Sequence, residues 1–189
     1  MEKILKAASS KPKNICCIDA STNSMAFAMF CEDKLVSCGK IGFSGKNIFD
    51  KVVDASKKTG KLFDHFEIDA IVIEHTVFLN SPKTMNDLAM VQGALLGSAR
   101  VKTVKTINPI AWQTFLGNGK LTKEDKLKIR NETPGKSESW YKAYEREHRK
   151  QKTIKFVNIN YDKNISDNDV ADAIGIGHYA INNWNKLGD

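Results

Sequence analysis

Short apolar runs at residues 14–19, 25–31 and 34–41 open the chain's pattern. Each is rich in Ile, Val, Phe, Met or Cys, the composition of a strand, and Glu32-Asp33 supplies a tight turn between the second and third. The period then changes. Ile48, Val52, Ala55 and Phe63 recur at helical spacing within 47–65, and a continuous apolar strand follows at 69–74. Residues 81–100 predict a long helix with Leu88, Val91, Leu95 and Leu96 on one side, and 101–107 reads as a fifth strand. Three antiparallel strands followed by helix–strand–helix–strand predict an α/β fold, a mixed five-stranded sheet flanked by helices.

Beyond the sheet, Pro109 starts a short helix containing Trp112, Phe115 and Leu116, stopped by Gly117-Asn118-Gly119. Residues 121–131 read as helix, Pro134-Gly135 breaks it, and 137–152 is a polar helical stretch. Residues 154–159 are apolar enough for a short strand or extended return, and 166–184 is the closing helix. Gly93 and Gly97 are expected to allow close packing of the 81–100 helix.

Composition adds a class. At 189 residues, 41% hydrophobic and 27% charged, the chain is expected to be one globular domain spanning 1–189. No run approaches the length of a membrane span, and the N-terminal stretch lacks the apolar core of a signal peptide, so a cytoplasmic protein with reduced thiols is expected. Cys16 and Cys17 are adjacent, point to opposite faces of a strand, and read as small buried hydrophobes. The formal charge of +7 is concentrated: 120–163 holds thirteen Lys/Arg against seven Asp/Glu, or +6 of the total. A basic helical insert over about 120–163, before the last helix, points to nucleic acid as partner.

Four carboxylates supply candidate chemistry. Asp19 closes the run Asn14-Ile-Cys-Cys-Ile-Asp19, and Glu74 closes Ala70-Ile-Val-Ile-Glu74. Asp169 and Asp172 open the last helix, three residues apart on one face. A buried strand end rarely carries an unpaired charge, because desolvation is costly. Asp19 also fits a Ser/Thr-rich turn, and Ser166-x-x-Asp169 fits a capping box. Asp172, embedded among Ala171, Ala173 and Ile174, has no such alternative. Hard oxygen donors of this kind suit Mg²⁺, and a pair of such ions suits phosphoryl displacement.

These residues carry a resemblance. Ile18-Asp19-Ala-Ser-Thr22, Val72-Ile-Glu74-His-Thr-Val-Phe78, Ala89-Met-Val-Gln-Gly-Ala-Leu-Leu-Gly97 and Asp169-Val-Ala-Asp172-Ala-Ile-Gly-Ile follow one another as in RuvC-type Holliday junction resolvases. The chain resembles a phage or phage-derived member of that family, which belongs to the ribonuclease H-like superfamily. The resemblance implies a ribonuclease H-like fold and resolution of four-way and other branched DNA, leaving 5′-phosphate and 3′-hydroxyl ends. It implies that Asp19, Glu74, Asp169 and Asp172 hold two Mg²⁺ ions, with Mn²⁺ able to substitute, and that Lys123 supports catalysis. Phe78 and Asn80 map near the DNA crossover, with Lys83, Lys120, Lys123 and Lys126 as further expected DNA contacts. A two-fold homodimer through the apolar face of the 81–100 helix is expected, in the host cytoplasm, with no membrane and no nucleotide cofactor. The chain departs from the family at Trp112-Gln113, where a basic residue is usual, and in a longer 133–163 segment.

His75 and His178 read as structural. Trp140, Tyr141 and Tyr144, with Arg146, Arg149 and Lys150, either stack on DNA or anchor the insert. Rival readings are a ribonuclease H-like nuclease acting on RNA or RNA–DNA hybrid, an actin-like ATPase suggested by Asp19-Ala-Ser-Thr22, and a junction binder without chemistry. The ATPase class requires further glycine-rich phosphate loops, and none is present in the sequence.

Overall fold

The computed structural model describes residues 10–75 and 81–188. Five strands, β1 (Asn14–Ala20), β2 (Ser24–Cys31), β3 (Lys34–Gly42), β4 (Ala70–Glu74) and β5 (Thr103–Ile107), form one sheet in the order β3-β2-β1-β4-β5. β2 is antiparallel to both β1 and β3, whereas β4 is parallel to both β1 and β5. The mixed sheet expected from the hydrophobic pattern is therefore present. Glu32 and Asp33 both adopt positive φ, 47° and 67°, the backbone that a two-residue hairpin turn requires.

The central strands are buried on both faces, so they read as unbroken apolar runs rather than alternating ones. On one face lie Ile15, Cys17, Ala26, Phe30, Val72 and Ile107; on the other lie Cys16, Ile18, Met25, Phe27, Ile71 and Ile73. Cys16 and Cys17 are thus buried on opposite faces, as their adjacency dictates.

Helices α1 (Ile48–Phe63) and α2 (Pro82–Ser98) cover the second face. Asn47 caps α1 by accepting from the Asp50 N–H, and Ser81 caps α2 by accepting from the Thr84 N–H. The apolar side of α2 turns inward, with Val91 and Leu95 fully buried. Gly93 and Gly97 do not pack closely within the chain: a Cβ on either would meet nothing among the described residues.

The first face is covered by α6 (Asn168–Asn182), with α3 (Pro109–Phe115) and α5 (Glu138–Tyr161) packed against it. α4 (Lys123–Glu132) precedes α5 and starts with a reciprocal capping box between Thr122 and Asp125. The extended segment expected at 154–159 is instead the second half of α5, a continuous helix of 24 residues. Thr153, Val157 and Tyr161 recur every four residues and turn inward while Ile159 is exposed, so the local apolar run supplies only part of the buried stripe of a helix.

α6 is built from small residues because it lies flat on the sheet. A Cβ at Gly177 would overlap the Phe30 ring, and one at Gly175 would sit 2.9 Å from Leu116 Cδ2 and 3.0 Å from Trp112 Cζ3. No helix of the described residues is long and apolar enough to cross a membrane.

Candidate active site

Asp19 and Glu74 stand at the carboxyl ends of neighbouring parallel strands, with Ile18 and Ile73 paired one residue before them. In open α/β sheets this end is where ligands bind. Both side chains point to the α6 face, because Ile15 and Cys17 precede Asp19 there and Ala70 and Val72 precede Glu74. α6 brings Asp169 and Asp172 to the same end of the sheet.

The four carboxylates act on one another. Burial, followed by repulsion from Asp172, Glu74 and Asp169, holds the Asp19 carboxyl well above the usual carboxylate range. Asp172 is pushed up to about 7 by burial and by the charges of Glu74 and Asp169, with Lys150 and Arg149 opposing. Burial also raises Glu74, against a hydrogen bond from the Trp112 indole N–H to Glu74 Oε2 at 2.8 Å. Burial leads in all three, and like charges add to it at Asp19 and Asp172.

The first turn of α6 resolves the ambiguity over Asp169. Asp167 is the N-cap, accepting from the Asp169 and Val170 N–H groups through Oδ1. Asp169 is therefore released from capping, and its Oδ2 lies 2.5 Å from Lys40 Nζ. Lys40 also reaches Asp167 Oδ2 at 3.1 Å. Its place follows from register: Asp19 pairs with Ala26 across β1–β2, and Ala26 pairs with Lys40 across β2–β3. Asp19 and Lys40 thus share one face and one row of the sheet, separated by a small side chain.

Among the described residues no three His, Cys, Asp or Glu side chains are drawn together closely enough to hold a metal ion. The carboxylates repel, and Lys40 and Trp112 each hold one of them. As a donor set they suit a hard cation: four carboxylates from two strands and a helix, with an ammonium already against one of them.

Lys123, the expected supporting lysine, is exposed at the first position of α4. Lys40, Arg149 and Lys150 do act on the carboxylates. Sequence reading missed Lys40 altogether. Lys120 and Lys126 border a cavity between α4 and α5, and Lys126 pairs with Glu145 at 3.0 Å. Lys83 is exposed in the first turn of α2 and bonded to Asp87 at 2.6 Å. Phe78 and Asn80 lie outside the described residues.

The aromatic group on α5 divides. Tyr141 is buried, donates from Oη to the Thr133 carbonyl at 2.6 Å, and lies beneath the Arg130 guanidinium, so it anchors α4 to α5. Trp140, the exposed Tyr144 and His148 stack in sequence along the helix surface. His178 is structural. Its Nδ1 lies 2.8 Å from Tyr161 Oη, and the rings of Phe115 and Phe156 pack around it. His75 is exposed, with its backbone N–H donating to the Ile107 carbonyl.

No protein-family model and no curated protein sequence matches this chain. Solved structures do. Thermus thermophilus RuvC in complex with a Holliday junction substrate is similar at a TM-score of 0.64 and 14% identity, over 91% of this chain and 97% of that one. A further structure of Thermus thermophilus RuvC gives 0.62 at 12% identity, over 93% and 98%. The chain therefore has the fold of RuvC, a ribonuclease H-like α/β sheet flanked by helices.

Proposed function

We propose that this chain is a RuvC-type resolvase: a metal-dependent endonuclease, one nuclease domain with a basic insert, acting on four-way junctions and other branched DNA. The observation that carries the reading is that Asp19, Glu74, Asp169 and Asp172 come to one end of a RuvC-like sheet, where burial and then the charges of the other three raise the Asp19 carboxyl. The structure of Thermus thermophilus RuvC with a Holliday junction substrate supports the choice of substrate.

Asp19, Glu74, Asp169 and Asp172 would hold two Mg²⁺ ions, or Mn²⁺ in their place. When bound, such ions supply an activated water and neutralise charge at the leaving oxygen, which gives 5′-phosphate and 3′-hydroxyl ends. The protein's own groups do the rest. β1 and β4 fix two carboxylates on rigid strand ends, and Trp112 orients Glu74. Lys83, Lys120, Lys123 and Lys126 bind backbone phosphates, while Phe78 and Asn80, which follow Glu74 in the sequence, contact the DNA near the crossover. The active form is a two-fold dimer, because a four-way junction presents two symmetric strands to cut. No nucleotide cofactor takes part, and the compartment is the cytoplasm.

The test is Mg²⁺-dependent nicking of a synthetic four-way junction, compared with flap DNA and an RNA–DNA hybrid. Wild type should cut the junction and Glu74→Gln should not. Cleavage of the hybrid in preference to the junction would move the substrate to RNA. A wild type that cuts nothing with any divalent ion removes the nuclease reading.

A further inference from the structure

The Lys120-Leu121 segment, α4 and α5 border an open cavity of about 500 Å³, ligand-sized by ordinary standards. Its charge is one-sided. Lys120, Lys126, Lys142, Arg146 and Arg149 line it with Glu145 as the one carboxylate, five cations against one anion, or +4. Glu145 is occupied by Lys126 at 3.0 Å, and neither Lys120 nor Arg146 forms an ion pair among the described residues. A solvated helix face spreads its lysines outward. Here cations from two helices and a turn converge on one concavity, an arrangement that repels itself until an anion enters.

Arg149 links this cavity to the carboxylates. It lines the cavity, donates from Nε to the Asn118 carbonyl and from a terminal nitrogen to Gln113 Oε1, and Gln113 adjoins Trp112, whose indole N–H donates to Glu74. The Asn118 side chain donates in turn to Thr153 Oγ1 at 2.5 Å, which ties the turn to α5. The guanidinium is thus held in place before any ligand arrives. From Lys142 through Arg146 to Arg149 the steps are four and three residues, one face of a helix. That span is about 10 Å, close to the axial rise of three nucleotides in one strand.

We propose that the cavity is a phosphate-binding subsite for the nucleic-acid strand that crosses the carboxylates, with Lys142 and Arg149 spaced for backbone phosphates about three nucleotides apart. Lys142 and Arg146 contact the phosphates, and Arg149 positions the strand between cavity and carboxylates. The proposal rests on the nuclease reading above and specifies where that substrate's strand runs.

The test uses the full chain carrying Lys142→Ala with Arg146→Ala, and Lys57→Ala with Lys61→Ala on α1 as the control. Both pairs replace exposed side chains outside the carboxylate site. Junction binding is followed by fluorescence anisotropy in Ca²⁺ across a salt titration, and nicking in Mg²⁺ at saturating DNA. The cavity pair should weaken binding about tenfold and make the negative slope of log affinity against log salt shallower by about 1.8, with nicking at saturation within about twofold of wild type. The α1 pair should leave the nicking rate unchanged and shift binding less. Equal loss from both pairs, or no loss from the cavity pair while wild type still cuts, overturns the subsite and leaves the nuclease reading standing. Inorganic phosphate that stabilises wild type but not the cavity pair, with junction binding unaffected by the substitutions, would reassign the cavity to free phosphate. A wild type that neither binds nor cuts a junction removes both proposals.

Discussion

The Lys40 ammonium lies 2.5 Å from Asp169 Oδ2, although the two residues come from the outer strand of the sheet and the last helix. It also acts on Asp19, so one cation partly offsets the repulsion among the acidic groups. A divalent ion bound by the same carboxylates would compete with it. Lys40→Met should tighten Mg²⁺ binding several-fold, on the order of 1 kcal/mol, because the competitor is gone. The metal-free protein should lose on the order of 0.5 kcal/mol of stability, since the pair is only half-buried. Calorimetric titration with Mg²⁺ and urea unfolding check the two effects. Weaker Mg²⁺ binding would show instead that Lys40 holds Asp169 in its ligating position.

Trp112 provides the neutral counterpart. Its indole N–H donates to Glu74 at 2.8 Å, from a ring buried against Gly175, where a larger residue would push it away. A hydrogen bond to a charged group contributes about 1.5–3 kcal/mol. Trp112→Phe keeps most of the packing and removes the donor. Junction cleavage at saturating DNA should fall about 10- to 100-fold, with DNA affinity in Ca²⁺ unchanged. A parallel loss of affinity would mean that the substitution disturbs the fold around α3 rather than the orientation of Glu74.

How much of this was legible depended on whether the cause was local. The strands, their order along the chain and the two carboxylates at their ends could be read because apolar runs and a terminal charge are local signals. Lys40 could not. Its neighbour Asp19 is 21 positions away, and their approach depends on two strand pairings that run through Ala26. Trp112 carried only a core signal, since its indole N–H finds Glu74 through the docking of α3 on α6. The second half of α5 looked like a strand because its polar first half lowered the helical pattern over the whole segment. Ser166 stood for the cap, with Asp169 as its capping-box partner, until the backbone geometry gave that role to Asp167.

The glycines give a paired prediction. Gly93 faces outward with open space around it, so Gly93→Ala should stabilise the chain by about 0.5–1 kcal/mol through helix propensity alone. Gly177 is packed beneath the Phe30 ring in the fully buried core. Gly177→Ala must displace that ring and should cost about 1–3 kcal/mol despite the same gain in propensity. Urea unfolding of the two variants separates them by sign. A stable Gly177→Ala protein would mean that α6 can lift from the sheet without cost.

His178 carries a dependence on pH. Burial among Phe115, Phe156 and Tyr161 disfavours its charged form, so its pKa lies below the ordinary value of 6.5. The unfolded chain therefore takes up the proton first. The stability held by neutral His178 is full above about pH 6.5 and is lost as pH falls from there through the folded-state pKa. Asp19 and Asp172 act in the opposite direction, because their raised pKa values make acidification favour the folded state. A pH profile of the wild type alone sums these contributions. The difference between wild type and His178→Gln isolates the imidazole: it should be constant above pH 7 and shrink as pH drops below about 6.5. Urea unfolding of both proteins at pH 7.5, 6 and 5 measures it. A difference that stays constant across that range would show that the His178 ring is protonated as readily in the folded protein as in the unfolded chain.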